Sequence, residues 1–195
     1  ASNPSIGVAS NLLVDEGGSS ILSETTEVIG AEHLLATRFE DEEMKDKFLK
    51  FVSDVEKRAI AMGEDLRSGQ PTPGNKTGGL STIEEKSLGC MYKAGNKPFK
   101  GALEYADIVP PDKKGLYFMD TPGQDIDSIT GMVAGGAQIV IFSTGRGTPT
   151  GSPISPVIKI TGNSDTYNKM PDNIDINAGR IITDGAKIAD IGQEI

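Results

Sequence analysis

The sequence predicts an α/β domain with a three-layer, Rossmann-like arrangement: a mostly parallel sheet with helices on both faces. Short apolar runs alternate with helical segments along the 195 residues, which is the pattern of strand–helix–strand units. Three of those runs end in polar turns, ILSETTE, YFMDTPG and VIFSTGRG. The length suits one domain with a sizeable core or two small ones, and we treat residues 1–195 as a single domain.

The first half of the chain predicts two helices, a strand and a loop. Residues 6–16 form a helix that stops at Gly17-Gly18, and SSILS (19–23) is a strand. Residues 41–62 form a helix closed by Gly63. Its apolar residues recur at spacings of three and four: Met44, Phe48, Phe51, Val52, Val55, Ala59 and Met62. Residues 63–79 hold five glycines and two prolines, which predicts a functional loop without helix or strand.

The second half continues the alternation. A helix begins at Ser81, with Glu84 in capping-box spacing, and runs to about residue 94. GLYFMD (115–120) is a strand, 125–135 a helix, and QIVIFS (138–143) a buried strand. SPVIKI (155–160) is a further strand, and two short helices close the chain. If the strands are parallel, the three polar turns meet at one edge, where α/β sheets bind ligands.

Composition excludes several classes of protein. The net charge of −9 and the pI near 4.7 argue against a nucleic-acid or anionic-membrane partner. Cys90 is the only cysteine, so the chain has neither a disulfide framework nor a cysteine-rich metal site. No apolar run approaches membrane length. We therefore expect a cytoplasmic protein.

Arg146 is the first candidate for a binding residue. It stands between Gly145 and Gly147 directly behind an apolar strand. The glycines let the backbone approach a ligand closely, and a guanidinium binds a carboxylate through two parallel hydrogen bonds. The loop therefore predicts an anion site, with a surface arginine in a glycine turn as the alternative.

Glu24, Glu27 and His33 are the candidate catalytic or metal-binding residues. The two glutamates follow a strand, and His33 is the only histidine. Two carboxylates and an imidazole can bind a divalent metal or share the acid and base roles. The alternative is structural, because glutamates after a strand often cap the next helix.

The segment PGNKTGG (73–79) resembles a phosphate-binding loop but departs from it. Gly69 and Gly74 have the G-x-x-x-x-G spacing, but Asn75 intrudes before Lys76 and Thr77, and no strand precedes the segment. Nucleotide hydrolysis is therefore excluded, while Lys76 stays a candidate cation for an anionic substrate. The alternative is a solvated loop lysine.

Two further turns carry polar candidates. MDTPGQD contributes Asp120, Thr121 and Asp125 at a strand end, and DNIDINAG contributes Asp175 and Asn177. Aspartate, asparagine, glycine and proline also favour turns for conformational reasons alone.

Six segments in order resemble the C-terminal catalytic region of the altronate and galactarate dehydratase family, which includes the large subunit of sulfolactate sulfo-lyase. They are SETTEVIGAEHLL, PTPGNKTGGLSTIEEKSLG, MDTPG, VAGGAQIVIFSTGRGTPTG, PVIKITGN and DINAGRI. The resemblance runs from about Asn3 to the end. It implies that residues 1–195 are the C-terminal portion of a longer dehydratase, inactive as an isolated fragment.

The resemblance also implies the reaction. We expect water to be removed from a sugar acid such as altronate or galactarate, giving a 2-keto-3-deoxy acid, with Fe(II) or a similar divalent ion. The carboxylate would lie against Arg146 and its neighbours, and Lys76 and Asn75 would hold the other end of the substrate. The expected substrate-binding set is Thr144, Gly145, Arg146, Gly147, Thr148, Asn75 and Asn177. The expected catalytic set is Glu24, Glu27, His33, Asp120 and Lys76, of which the first three are also the metal candidates.

Other parts of the assembly follow from the same resemblance. We expect N-terminal segments or a small β-rich subunit to join this region, and a homo-oligomer, with no nucleic acid and no membrane. Two alternatives stay open: a sulfolactate sulfo-lyase domain, and a non-catalytic structural, oligomerisation or anion-binding module.

Overall fold

The computed structural model describes all residues, 1–195, as helices packed on short strands. The helices are α1 Ser2–Asp15, α2 Glu32–Ala36, α3 Glu42–Ala61, α4 Leu66–Gly69, α5 Pro73–Thr77, α6 Ile83–Met91, α7 Asp125–Ala134, α8 Ser164–Lys169, α9 Arg180–Thr183 and α10 Ile188–Glu194. The strands are β1 Ser20–Leu22, β2 Phe99–Leu103, β3 Leu116–Met119, β4 Val140–Ser143, β5 Val157–Thr161 and β6 Ile176–Asn177. Two 3₁₀ turns lie at Thr25–Glu27 and Tyr92–Ala94.

The six strands form two three-stranded sheets in which every pair is parallel. The first sheet has the order β1-β3-β2, and the second has the order β4-β5-β6. Ile21 pairs with Tyr117 in the first sheet, and Ile141 pairs with Ile158 in the second. The predicted α/β class with parallel pairing is thus confirmed, although the sheet is built as two halves.

The two halves face each other across one cavity. Strands β1 and β4 both line it but are not hydrogen-bonded to one another. Helix α1 packs against both strands and against α10, and therefore bridges the halves. With the cavity between β1 and β4, the strands lie in the spatial order β2-β3-β1 and then β4-β5-β6. The direction in which successive strands are added to the sheet therefore reverses between β1 and β4.

The larger core lies between the first sheet and α3. Helix α3 begins where the Asp41 carboxylate accepts a hydrogen bond from the Met44 N–H (3.0 Å). Its apolar stripe presents Phe48, which is fully buried. Phe48 stacks on Phe39 at 5.2 Å and meets Phe118 edge-on at 4.7 Å between ring centroids. This aromatic cluster fixes α3 on the sheet.

A smaller core supports the second sheet. Ile160 of β5 is fully buried beside Ile176 of β6 and Ile191 of α10. Ile6 of α1 belongs to the same cluster, so the first and last helices close over this sheet together. The chain ends therefore meet at the second sheet.

Three local predictions are wrong, and each has a local cause. Residues 63–79 contain the short helices α4 and α5, begun by Asp65 and by Pro73 at the first helical position. Helix α6 is capped by Thr82 rather than by Ser81, because the Thr82 hydroxyl accepts a hydrogen bond from the Glu85 backbone N–H. Three short helices, not two, follow β5, and β6 lies among them.

Strand β2 was not predicted, because Lys100 and Gly101 interrupt its apolar pattern.

No helix of this protein is both long enough and apolar enough to cross a membrane.

Truncation of Phe48 tests the packing of the larger core. We expect Phe48→Ala to lower the free energy of unfolding by about 3–5 kcal/mol, because a fully buried ring leaves a cavity. Met62, 77% exposed, provides the control: Met62→Ala changes stability by less than about 0.5 kcal/mol. Urea denaturation measures both. Equal effects of the two substitutions would contradict the assigned core.

Candidate functional site

The three polar turns meet at one edge of the molecule. The turn after β1 contacts the turn after β3 through two backbone donors: Glu24 N–H to Thr121 Oγ1 (2.8 Å) and Thr25 N–H to Thr121 O (3.0 Å). The turn after β4 joins them, because the Thr148 hydroxyl lies 3.0 Å from the Asp125 carboxylate. The predicted convergence is therefore present, as parallel strands require.

Glu24 has an unusual backbone conformation at this edge. Its φ is +71° and its ψ is +78°, in the left-handed region that side chains other than glycine adopt at a cost. Neighbouring contacts stabilise it: the buried Thr25 hydroxyl donates to Asp120 (2.5 Å). At Gly123 a Cβ would come within 2.1 Å of Thr26 Oγ1, so glycine is required for the two turns to meet. The strained residue is also the candidate acid or base.

Two lysines that the sequence analysis did not select face the glutamates. The Lys93 ammonium lies 3.5 Å from Glu24, and the Lys86 ammonium lies 2.7 Å from Glu27. All four side chains are between 14% and 21% exposed. The site therefore alternates two carboxylates with two ammonium groups in a largely buried setting. The spacing Lys86, Cys90, Lys93 (i, i+4, i+7) was the signal available in the sequence, since it places these side chains on one helix face.

Burial and charge shift the pKa values of this group. Burial raises the pKa of Glu24, the Lys93 ammonium opposes that rise, and the charges of Glu27 and Asp125 add to it. Burial alone would lower the pKa of Lys93, but the Cys90 thiolate, which forms only at high pH, and the Glu24 and Glu27 carboxylates hold it above its ordinary value. At neutral pH the two carboxylates act alone, because Cys90 is then an uncharged thiol. Lys93 thus stays an ammonium at neutral pH, while Glu24 is a stronger base than an exposed glutamate.

Arg146 projects from the turn after β4. It is exposed and forms no ion pair with a carboxylate of the chain. The turn is held by the Gly147 N–H, which donates to Thr144 Oγ1 (3.0 Å). Gly147 has a φ of +90°, and a Cβ there would meet Met170 Sδ at 2.1 Å. A fixed turn with an unpaired guanidinium is suited to bind an anion.

The glycine-rich segment after α4 lies against this arginine. A Cβ at Gly74 would stand 2.5 Å from the Arg146 Nη1 atom. Gly74 belongs to α5, which also carries Asn75 and the exposed Lys76. The structure therefore brings together the two segments that were predicted to hold opposite ends of a substrate.

A cavity of about 540 Å³ opens beside the glutamate–lysine group. Glu24 and Lys93 line it together with Ser23, Ser128 and Ser143. Ser143 is the last residue of β4, three positions before Arg146. The cavity thus lies between β1 and β4, where the strand order reverses, which is the usual ligand site of open α/β sheets.

The three candidate metal ligands do not form a metal site within this chain. His33 lies exposed on α2. The structure contains no group of three or more histidine, cysteine, aspartate and glutamate side chains that could hold a metal ion. Glu24 and Glu27 are each paired with an ammonium, which repels a divalent cation. The donor set of residues 1–195 therefore does not by itself fit a metal.

Asp120 and Asn177 have structural contacts. Asp120 accepts the hydrogen bond from Thr25, and its carboxylate therefore helps to position the Glu24 turn. The Asn177 side-chain oxygen accepts from the Gly179 N–H (2.9 Å) and from the Ser164 hydroxyl (3.2 Å) at the end of β6. Its part in substrate binding stays a prediction.

Comparison with known proteins assigns the family. Residues 1–195 match the family described as D-galactarate/altronate dehydratase, C-terminal. The chain belongs to this family. It is 40% identical over 182 residues to the altronate dehydratase of Bacillus subtilis and 39% identical over 193 residues to the galactarate dehydratase (L-threo-forming) of Escherichia coli. It is 32% identical over 198 residues to the (2R)-sulfolactate sulfo-lyase subunit beta of Chromohalobacter salexigens.

The matches cover nearly all of this chain but only part of each relative. The aligned region includes 93% of the chain and 36% of the Bacillus enzyme, and 99% of the chain and 36% of the Escherichia galactarate enzyme. For the sulfo-lyase subunit the shares are 99% and 50%. The chain therefore spans about a third of the length of these dehydratases.

Alkylation of Cys90 tests the electrostatics of the group. Burial raises the pKa of this thiol to about 11, and Glu24 and Glu27 add to the rise against the opposing effect of Lys93. We expect iodoacetamide at pH 8 to modify folded Cys90 at least about a hundredfold more slowly than the urea-unfolded chain, as measured by mass spectrometry. Rapid stoichiometric labelling of the folded protein would contradict a buried, protonated thiol.

Proposed function

We propose that residues 1–195 supply part of the active site of a hydro-lyase. The enzyme removes water from a sugar acid such as altronate or galactarate and yields a 2-keto-3-deoxy acid. The observation that carries the proposal is the two-sided edge: the strained, largely buried Glu24 paired with Lys93 on one side, and the unpaired Arg146 on the other. Family membership and relatives named as dehydratases support it.

Arg146 binds the substrate carboxylate in this proposal. Its guanidinium has no carboxylate of the protein to compete with, and the Thr144 hydroxyl, which accepts the Gly147 N–H, can donate its own proton to the ligand. The buried Thr148 hydroxyl donates to Asp125 and thereby holds the turn. Helix α5 lies against it through Gly74, and Asn75 and Lys76 of that helix bind hydroxyls of the sugar acid beyond its carboxylate. A substrate held at both ends presents a fixed carbon atom to Glu24.

Glu24 takes the proton from the carbon next to the carboxylate. The electron pair of that C–H bond forms an enediolate, whose negative charge Lys93 stabilises because it stays an ammonium beside Glu24. The hydroxyl on the next carbon leaves as water after it takes a proton from an acid, for which Lys76 is the candidate on this chain. The resulting enol gains a proton on carbon, loses its hydroxyl proton and becomes the 2-keto-3-deoxy acid.

The remaining components would come from outside this region. A divalent metal such as Fe(II) would act as a Lewis acid toward the substrate oxygens. Because Glu24 and Glu27 are paired with lysines and His33 lies apart, its ligands would come mainly from other parts of the enzyme. On the basis of family membership we also propose that other segments precede this region and that a small β-rich domain belongs to the enzyme. A homo-oligomeric assembly and a cytoplasmic location are proposed on the same family basis.

The sulfo-lyase reaction is the second candidate. The sulfolactate sulfo-lyase subunit aligns with 99% of the chain at 32% identity. Its name implies a leaving sulfite from a hydroxy acid, and the same base, cation and carboxylate clamp serve that elimination. The two dehydratases at 39–40% identity favour water as the leaving group here.

Replacement of Arg146 tests the carboxylate clamp. In the longer dehydratase that carries this region, we expect Arg146→Ala to lower kcat/KM by about a hundredfold or more, because a charged bidentate contact worth ~3 kcal/mol is lost. The fold should persist, since Arg146 is exposed. Arg58→Ala removes an exposed arginine on α3 and serves as the control. Near-normal turnover of the Arg146 variant, with Arg58→Ala equally active, would remove this residue from the site.

The pH profile tests Glu24 as the base. A base must be ionised, and its raised pKa places the acid limb of kcat/KM above the ordinary glutamate value of 4.5. Lys93 lowers the pKa of Glu24, so in the weakly active Lys93→Met variant the limb moves to higher pH. Lys97→Met, which removes an ammonium paired with Asp15, leaves the limb in place. An acid limb that stays unchanged in Lys93→Met would contradict the assignment.

A further inference from the structure

Two unpaired strand edges, those of β1 and β4, line the cavity between the two half-sheets. Along a parallel strand, alternate residues direct their N–H and C=O groups to opposite sides. The Ser20 N–H donates to Gly115 O toward β3, so the backbone of Ile21 faces the other side, where β1 has no neighbour. The Val140 and Thr144 N–H groups donate toward β5, so Ile141 and Ser143 face the unpaired side of β4. Two open edges therefore line one cavity.

The middle of the cavity suits an extended peptide better than a sugar acid. Its sides include apolar residues of α1 and α7 such as Ile6, Leu13 and Met132. Polar side chains also line it, among them Ser10, Ser20 and Gln138 as well as the Glu24–Lys93 pair. An extended peptide satisfies both backbone edges, while its side chains meet the apolar walls.

Exposed apolar residues surround the same cavity. Leu13 is 49% exposed, Ile139 58% and Ile108 72%. Three large aliphatic side chains around a single opening indicate a surface that is covered in the working protein.

We propose that an extended segment from the preceding part of the dehydratase inserts between β1 and β4. The dehydratase relatives contain such additional sequence, because this chain corresponds to 36% of their length. A second copy of the chain is a poor occupant, since all six of its strands are already built into sheets. Insertion joins the halves into one seven-stranded sheet and leaves the Glu24–Lys93 end of the cavity to the substrate of the proposed function.

Hydrogen exchange measured by mass spectrometry tests the insertion. Peptides covering residues 19–24 and 138–144 are followed in the 195-residue chain and in the longer dehydratase. We expect their edge amides to exchange at least about a hundredfold more slowly in the longer enzyme, because they gain hydrogen-bond partners. Equal exchange in both proteins would overturn the proposal. Protection in the isolated chain that increases with its concentration, with a dimeric mass, would assign the slot to a second copy and also overturn it.

A pair of surface substitutions provides an independent readout. Ile139→Asp places a charge on the border of the cavity, whereas Ile154→Asp alters a residue that is 79% exposed and outside it. We expect Ile139→Asp to lower the melting temperature of the longer dehydratase and to restore fast exchange at residues 138–144. Ile154→Asp changes neither quantity, and the isolated chain tolerates both. Identical behaviour of the two variants in the longer enzyme would count against an inserted segment.

Discussion

The position of Glu24 depends on the buried hydroxyl of Thr121. That hydroxyl, on a residue only 2% exposed, accepts the Glu24 N–H and donates to Ser128 (3.1 Å). The parallel pairing of β1 with β3 makes the contact possible, because it places the two strand ends side by side. The left-handed backbone of Glu24, its burial and its approach to Lys93 all follow from this arrangement.

The paired charges at the site contribute little net stability. Two carboxylates and two ammonium groups share a largely buried space, and burying such pairs costs about as much free energy as their attraction returns. What the arrangement achieves is a fixed ammonium beside a base of raised pKa. On the opposite side, Arg146 keeps its guanidinium unpaired. A hydroxy-acid elimination needs these three functions, a carboxylate clamp, a base and a positive charge near the enediolate.

Local patterns predicted those parts of the structure that depend on local sequence. The apolar runs gave β1, β3, β4 and β5, and the spacing of apolar residues gave α3, because burial of one face dictates each pattern. Strand β2 lacks such a pattern, since Lys100 and Gly101 fall within it, and its pairing with β3 and the packing of Phe99 and Ala102 in the core stabilise it. Polar turns at strand ends predicted the edge that holds Glu24 and Arg146, but not the separation of the sheet into halves.

The partners of the site residues come from distant parts of the chain and were therefore harder to predict. Lys86 and Lys93 lie about sixty to seventy positions from the glutamates that they contact. His33 is only six residues from Glu27, yet α2 leaves it exposed, and it does not join the two glutamates in a group of metal ligands within this chain. The Gly74–Arg146 approach joins two segments whose separate patterns suggested related roles, although nothing in either segment predicted their contact.

The most direct test of the central claim is product formation by the longer dehydratase that carries residues 1–195. The enzyme is incubated without oxygen in the presence of Fe(II) and offered altronate, galactarate and sulfolactate separately. We expect a 2-keto-3-deoxy acid from one of the two sugar acids, and loss of that product in the Glu24→Gln variant, which retains the fold. Absence of product from all three substrates, or a Glu24→Gln variant as active as the parent enzyme, would contradict an elimination site built around Glu24.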